Sequence, residues 1–364
     1  MGEIYANTQR TIILCLVSLI MAVAIGTILA RWVTEPLLKL NAAAKEIANG
    51  KLDNTVELYR PDEVGQLAVS FDRMARQLQE SFGDLAKANI EITTLNAAYE
   101  RFVPDQFLSF LEKDSIVDVE LGDRVEREMT VLFSDIRDFT TISEQMTPAE
   151  NFAFINEYLG YMEPQIQKYG GFIDKYIGDA IMALFPGSAD DAVQGAIAML
   201  EQLKTYNLYR QEKNLIPLRI GIGLHTGKLI LGTVGGFGRM DGTVIGDAVN
   251  LSSRVEGLTK TYGVSLLITH QTVARLNNPL EYDLRFIEQV KAKGKAKAVG
   301  LFEVFSADPP KLRAAKVATK EQFERAVMFY HWGSVPEAGR LFQECLEYDD
   351  GDRPAQIYLD RCQS

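Results

Sequence analysis

The chain has 364 residues, 47% of them hydrophobic, and a formal net charge of −11. That length allows more than one folded unit with a normal core, and the acidic balance excludes nucleic acid as a general partner. The three cysteines, Cys15, Cys345 and Cys362, lack metal-ligand spacing and read as reduced and structural, as in a main body that faces the cytosol.

Residues 1–10 are a short leading segment, and residues 11–31 read as a transmembrane helix. Thr11 to Ala30 carries no charge and lies between Arg10 and Arg31. A run of that length spans a bilayer. Trp32 follows Arg31 with no small-residue cleavage site, which argues against a signal peptide. Arg31, Lys39, Lys45 and Lys51 place the C-terminal side in the cytoplasm. The expected location is the cell membrane, single-pass, with the main body cytoplasmic. The leading segment is too short for an extracellular sensor. Either the chain is part of a longer receptor, or its input arrives through the membrane or from a partner.

Residues 32–83 read as two helices and a connector. The first helix has Pro36 in its first turn and ends at Gly50. After the connector comes Asp62-Glu63-Val64-Gly65, with Leu67 two residues on. These features resemble the HAMP domain, a parallel four-helix bundle formed by two chains. The second helix continues through a signalling segment at 84–103. Its apolar positions Leu67, Phe71, Met74, Leu78, Phe82, Leu85, Ala88, Ile92, Leu95, Tyr99 and Phe102 form a coiled-coil seam. Two adjacent four-residue steps around Leu78 make a stutter, a place where a supercoil locally unwinds and a candidate switch element. Such a seam implies a parallel dimer. Residues 104–125 form a linker.

From 126 to 307 strand and helix signals alternate. A strand is expected at 128–135, a helix at 147–169, a hairpin at 172–185, a helix at 188–213, strands at 218–225 and 228–234, a helix at 247–261, and further strands beyond. The fold class is α+β, a ferredoxin-like βαββαβ sheet with additions. Residues 308–364 read as two amphipathic helices resembling a tetratricopeptide-type hairpin. One such unit cannot bury its own face, so it is expected to pack on the preceding domain or on a partner.

Four stretches carry the chemistry. Val131 to Phe133 is an apolar strand that ends on Asp135, with Asp138 three residues later. Carboxylates at the end of a core strand suit a hard divalent cation, and free N–H groups in the turn after it suit phosphate. The hairpin Phe172 to Phe185 places Asp179 at its turn, beside the strand that ends at Asp135, and two such carboxylates can bridge two metal ions. Lys175 lies between apolar neighbours in that hairpin and needs a polar reason to be there. Asn250 and Arg254 share one helix face, from which an amide and a guanidinium can orient a ribose and stabilise charge on phosphorus. The run Val290 to Lys297 is a basic turn centred on Gly294.

Together these stretches resemble the catalytic domain of class III nucleotide cyclases over about 180 residues. The resemblance implies two Mg²⁺ or Mn²⁺ ions per site, held by Asp135 and Asp179 with Ile136 beside them. It implies that the turn Ile136 to Thr140 cradles phosphate, with Ile136, Phe139 and Thr140 at the substrate. Lys175 and Thr243 would read the purine, Asn250 would orient the ribose, Arg254 would stabilise the transition state, and Lys293 would bind the triphosphate. It also implies a homodimer with shared sites. Asp135 and Asp179 would come from one protomer, and Lys175, Thr243, Asn250, Arg254 and Lys293 from the other. Two departures stand out. Asp138 replaces the family's usual Gly, and Thr243 replaces an Asp common in adenylyl cyclases, as in the cyanobacterial and bicarbonate-responsive subgroup. A lysine ammonium is donor-only and suits the acceptor N1 of adenine, so the expected substrate is ATP. The alternatives are a guanylate cyclase and a catalytically silent dimeric scaffold.

Overall fold

The computed structural model describes residues 2–53, 56, 58–99, 105–236, 238–291 and 298–363. The chain divides into two compact units, Met1–Arg101 and Phe102–Ser364.

In the first unit, helix α1 (Gly2–Leu29) passes through a π-helical stretch, Ala30–Thr34, into α2 (Glu35–Ala48). It is long and apolar enough to cross a membrane. The π stretch lies just ahead of Pro36, where the missing N–H interrupts the regular ladder. Helix α3 (Glu63–Tyr99) runs unbroken for 37 residues. Asp62 caps it by accepting from the Gly65 N–H at 3.0 Å. Leu40 of α2, Val56 of the connector and Ala68 of α3 form a small core, and Asp72 Oδ1 accepts from the Val56 N–H at 2.8 Å. The seam residues Leu67, Met74, Phe82, Leu85, Ile92, Leu95 and Tyr99 are all exposed on the single chain.

The second unit opens with α4 (Asp105–Phe110), β1 (Arg124–Ile136), α5 (Phe139–Ser143), α6 (Pro148–Lys168), β2 (Phe172–Ile177), β3 (Ala180–Phe185) and α7 (Ala189–Glu212). It continues with β4 (Ile220–Gly236), β5 (Arg239–Ile245), α8 (Asp247–Tyr262), β6 (Leu266–Thr269), α9 (His270–Val273), β7 (Leu284–Lys291) and β8 (Ala298–Val304). The sheet order is β2-β3-β1-β4-β6-β8-β7, with β5 paired to β4. The first four strands give the ferredoxin-like order. Capping boxes at Thr147/Glu150 and Ser188/Asp191 start α6 and α7.

Alternation along β1 sorts the two faces of the sheet. Leu132 and Ile136 pack with Phe154 and Tyr158 of α6. Val131 and Phe133 pack on the other face with Phe107 of α4 and Ala248 of α8. Each fully buried side chain of this size contributes about 1.5–3 kcal/mol.

Three expectations are revised. The segment expected as two strands at 218–225 and 228–234 is one strand, because β1 is long enough to pair with it without a break from Ile220 to Gly232. The 104–125 linker contains α4, whose Phe107 is buried on the sheet. The tail has three helices, not two: α10 (Pro310–His331), α11 (Val335–Tyr348) and α12 (Arg353–Gln363). The tail packs on its own domain, with Phe323, Phe342 and Tyr358 against Val255, Leu267 and Ile287. A buried ionic cluster fixes it. Arg285 of β7 donates to both carboxylate oxygens of Asp352, at 2.6 and 2.7 Å, and to Glu303 at 2.6 Å.

Candidate active site

The end of β1 and the turn between β2 and β3 bring Asp135 and Asp179 together. The register pairs Ser134 with Ile181, so the hairpin turn lies next to the strand end. The Ile136 N–H donates to Asp179 Oδ2 at 3.2 Å. Burial, a hydrogen bond with Asp135 and that residue's negative charge together push the Asp179 carboxyl up to about 7. A carboxylate whose proton affinity is raised by a second carboxylate beside it marks a site short of positive charge. Asp135 and Asp179 offer carboxylate oxygens of the kind Mg²⁺ takes together with substrate and water oxygens. Among the described residues no three His, Cys, Asp or Glu side chains gather as a closed metal cage.

The turn after Ile136 is held by its own backbone. The Arg137 N–H donates to the Arg219 carbonyl at 2.8 Å. Asp138 has φ 58°, the left-handed conformation in which Gly is easiest and Asp is tolerated. Asp138 is thus tolerated at a position whose backbone favours Gly. Its carboxylate pairs with Arg219 at 3.1 Å. Phe139 and Thr140 open α5, and Phe139 stacks on Phe154 with centroids 6.3 Å apart. The Ile136 and Arg137 amides are thus engaged within the chain.

Lys175 has its reason. Its Nζ donates to Thr243 Oγ1 of β5 at 2.6 Å and lies 3.4 Å from Asp174 Oδ2. The irregularity between Ile173 and Lys175 in the β2 register falls on Asp174. Asp174 is buried, which raises its carboxyl above the ordinary range, while the Lys175 charge partly offsets this. The two residues expected to read the base therefore meet within one chain, although they are 68 positions apart.

Asn250 and Arg254 lie on the exposed face of α8. The buried face is pinned to the sheet by Ser252, whose hydroxyl donates to the carbonyls of Val131 at 2.7 Å and Gly223 at 3.0 Å. Gly223 permits this approach, since a Cβ there would collide with the Glu256 backbone. Lys293 lies outside the described residues.

Sequence reasoning did not find Asp174, Arg219 or Glu256. Glu256 Oε1 lies 3.4 Å from Arg137 Nη1. Burial pushes the Glu256 carboxyl up to about 7, with Arg137 opposing and Asp135 adding to the shift. Single acidic and basic residues on a helix or turn carry no motif, so only their convergence in three dimensions reveals them.

Residues 123–303 match the family described as adenylate and guanylate cyclase catalytic domain, and residues 28–80 match the HAMP domain. An adenylate cyclase of Anabaena cylindrica is 44% identical over 76% of this chain and 55% of its own length. A terminal-differentiation-specific adenylate cyclase of Dictyostelium discoideum is 37% identical over 74% of this chain and 13% of its own. The solved structure of a bacterial light-regulated adenylyl cyclase aligns with a TM-score of 0.54 at 26% identity, covering 63% of this chain and 66% of that one. The chain spans about half the length of the Anabaena relative and a smaller part of the Dictyostelium one.

Proposed function

Because the chain belongs to the adenylate and guanylate cyclase family and carries a HAMP domain ahead of its catalytic domain, we propose that it is a membrane-anchored adenylate cyclase. It converts ATP to 3′,5′-cyclic AMP and pyrophosphate. The observation that carries the reading is the Asp135–Asp179 pair, two carboxylates at adjoining strand ends whose mutual repulsion a divalent cation would relieve. Asp135, Asp179 and the Ile136 carbonyl would hold two Mg²⁺ or Mn²⁺ ions. When bound, the metals acidify the ribose 3′-hydroxyl and offset charge on the α-phosphate.

The chain's own residues do the rest. Lys175, held by Thr243, donates to adenine N1, which guanine cannot accept because its N1 carries a proton. Asn250 orients the ribose and Arg254 neutralises charge developing at the transferring phosphorus. Phe139 and Thr140 present backbone to the phosphates, and Lys293 holds the terminal ones. The sites form across a homodimer, with Asp135 and Asp179 from one protomer and Lys175, Thr243, Asn250, Arg254 and Lys293 from the other. The exposed seam of α3 supports this arrangement, since an apolar stripe of that length needs a second helix. Through α1, α2 and α3 the membrane segment sets how the protomers meet, with the catalytic domain on the cytoplasmic side.

The test is incubation of the purified chain with ATP or GTP and Mg²⁺ or Mn²⁺, with identification of the product. Cyclic AMP from ATP, abolished by Asp135→Ala, is expected. Cyclic GMP alone, or no cyclic nucleotide from either substrate, would overturn the reading.

A further inference from the structure

A second concentration of positive charge lies beside the phosphate turn. A cavity of about 420 Å³ opens between the turn after β1, the start of β4, the end of α8 and the first residue of α12. Arg137, Arg219, Lys260 and Arg353 line it, and Asp138 is the one carboxylate among its described lining residues. Asp138 pairs with Arg219, and Arg137 has Glu256 behind it at 3.4 Å. Lys260 and Arg353 have no such carboxylate among the described residues.

The fold forces this arrangement. Asp352, clamped by buried Arg285, fixes the chain immediately before Arg353. The Arg353 stem lies so close over Gly263 that a Cβ there would collide with it. With Arg219 and Arg137 balanced by Asp138 and Glu256, Lys260 and Arg353 leave the cleft an excess of positive charge that an added anion would balance.

We propose that this cleft binds a condensed phosphate such as inorganic pyrophosphate, gripped by Lys260 and Arg353 with Arg137 and Arg219 behind. One tetrahedral oxyanion engages one or two cations. Four cations spread around a cavity of this size match an anion with several phosphoryl groups. Identifying that anion with the leaving group of the cyclisation rests on the cyclase reading, whereas the anion site rests on the residues alone.

The experiment is calorimetric titration of inorganic pyrophosphate into the detergent-solubilised full chain in EDTA, comparing wild type with the Lys260→Gln/Arg353→Gln double variant. Glutamine keeps the stems and removes the charges, and matching thermal unfolding verifies that the variant folds. Wild type is expected to bind in a salt-sensitive manner. The double variant is expected to bind at least about tenfold more weakly, a loss of about 1.4 kcal/mol. Its inhibition by added pyrophosphate during ATP turnover should weaken by a similar factor. Equal affinity in the two proteins overturns the site. A chain that makes no cyclic nucleotide yet keeps the affinity difference sinks the cyclase reading and leaves the anion site standing. Binding to phosphoinositide vesicles through the same two charges, without binding pyrophosphate, overturns a free phosphate as the ligand.

Discussion

The Arg60 guanidinium donates to the carbonyl oxygen of Trp32 at 2.6 Å. Trp32 lies four residues before Pro36, which has no N–H to give its carbonyl as a regular α-helix would. Arg60 also lies over the Trp32 ring, 5.3 Å from its centroid, and pairs with Asp62 at 2.5 Å. Since Asp62 caps α3, one side chain joins the π-helical stretch after α1 to the start of α3. Arg60→Ala is expected to speed amide exchange around residues 30–40 by about tenfold, the loss of one charge-assisted bond. In a Pro36→Ala background, which restores the missing donor, the same substitution should have much less effect. An equal effect in both backgrounds would show that Arg60 does not serve the Trp32 carbonyl.

Asp179 gives a prediction about pH. Its carboxyl is raised to about 7 in the folded chain, above its ordinary value of 3.8. Such a carboxylate favours the fold at low pH and weakens it as pH rises towards the folded value. Asp179→Asn is therefore expected to raise the melting temperature in EDTA at pH 8 and to change it little at pH 4. Wild type is expected to gain melting temperature with Mg²⁺ at pH 8, and Asp179→Asn is expected to abolish that gain. A lower melting temperature at pH 8 would contradict the carboxylate repulsion.

Thr243→Val should leave the Lys175 ammonium without its hydroxyl acceptor. A loss of about fivefold to tenfold in kcat/KM for ATP is expected, the usual size of one hydrogen bond. Lys175→Glu should lower ATP turnover further and move the ATP-to-GTP ratio towards GTP. An unchanged ratio, measured by product identification in mixed nucleotide, would remove Lys175 from base recognition.

Shared sites make a prediction about mixing. Asp135→Ala and Asn250→Ala chains should each be inactive alone. Co-expressed in equal amounts they should recover about one quarter of wild-type activity, because half of the dimers carry one intact site of two. No recovery would exclude a site built across the dimer.

Asp352→Ala would leave Arg285 buried with half of its partners. Removing one member of a buried ion pair costs about 3–5 kcal/mol. Limited proteolysis is expected to release the tail helices from the variant well below the temperature that releases them in wild type.

Much of this was legible in the sequence. The β1 end, the Asp179 hairpin and the α8 face announce themselves through local patterns: an apolar run that stops on a carboxylate, a Gly-Asp turn, a polar pair one helical turn apart. The Lys175–Thr243 contact was only half legible. A lysine among apolar neighbours signals a partner, but a threonine 68 positions away carries no local mark. Arg285 was invisible for the same reason, since its carboxylates lie on β8 and at the start of α12. The third tail helix was lost because Asp349 to Asp352 reads as a loop and the helical run beyond Arg353 is short. The pairing of β1 with β4 overrode the local turn signal at Thr226-Gly227.

The Ser252 hydroxyl bridges β1 and β4 from beneath the helix that carries Asn250 and Arg254. In a homodimer with shared sites, those two residues serve one site while Asp135 at the end of β1 serves the other. A displacement of one chain therefore carries a piece of each site with it in lockstep. In such a dimer, input arriving through the helices would act as a single dial for both sites, and the dose response to a stimulus is expected to be that of one switch per dimer.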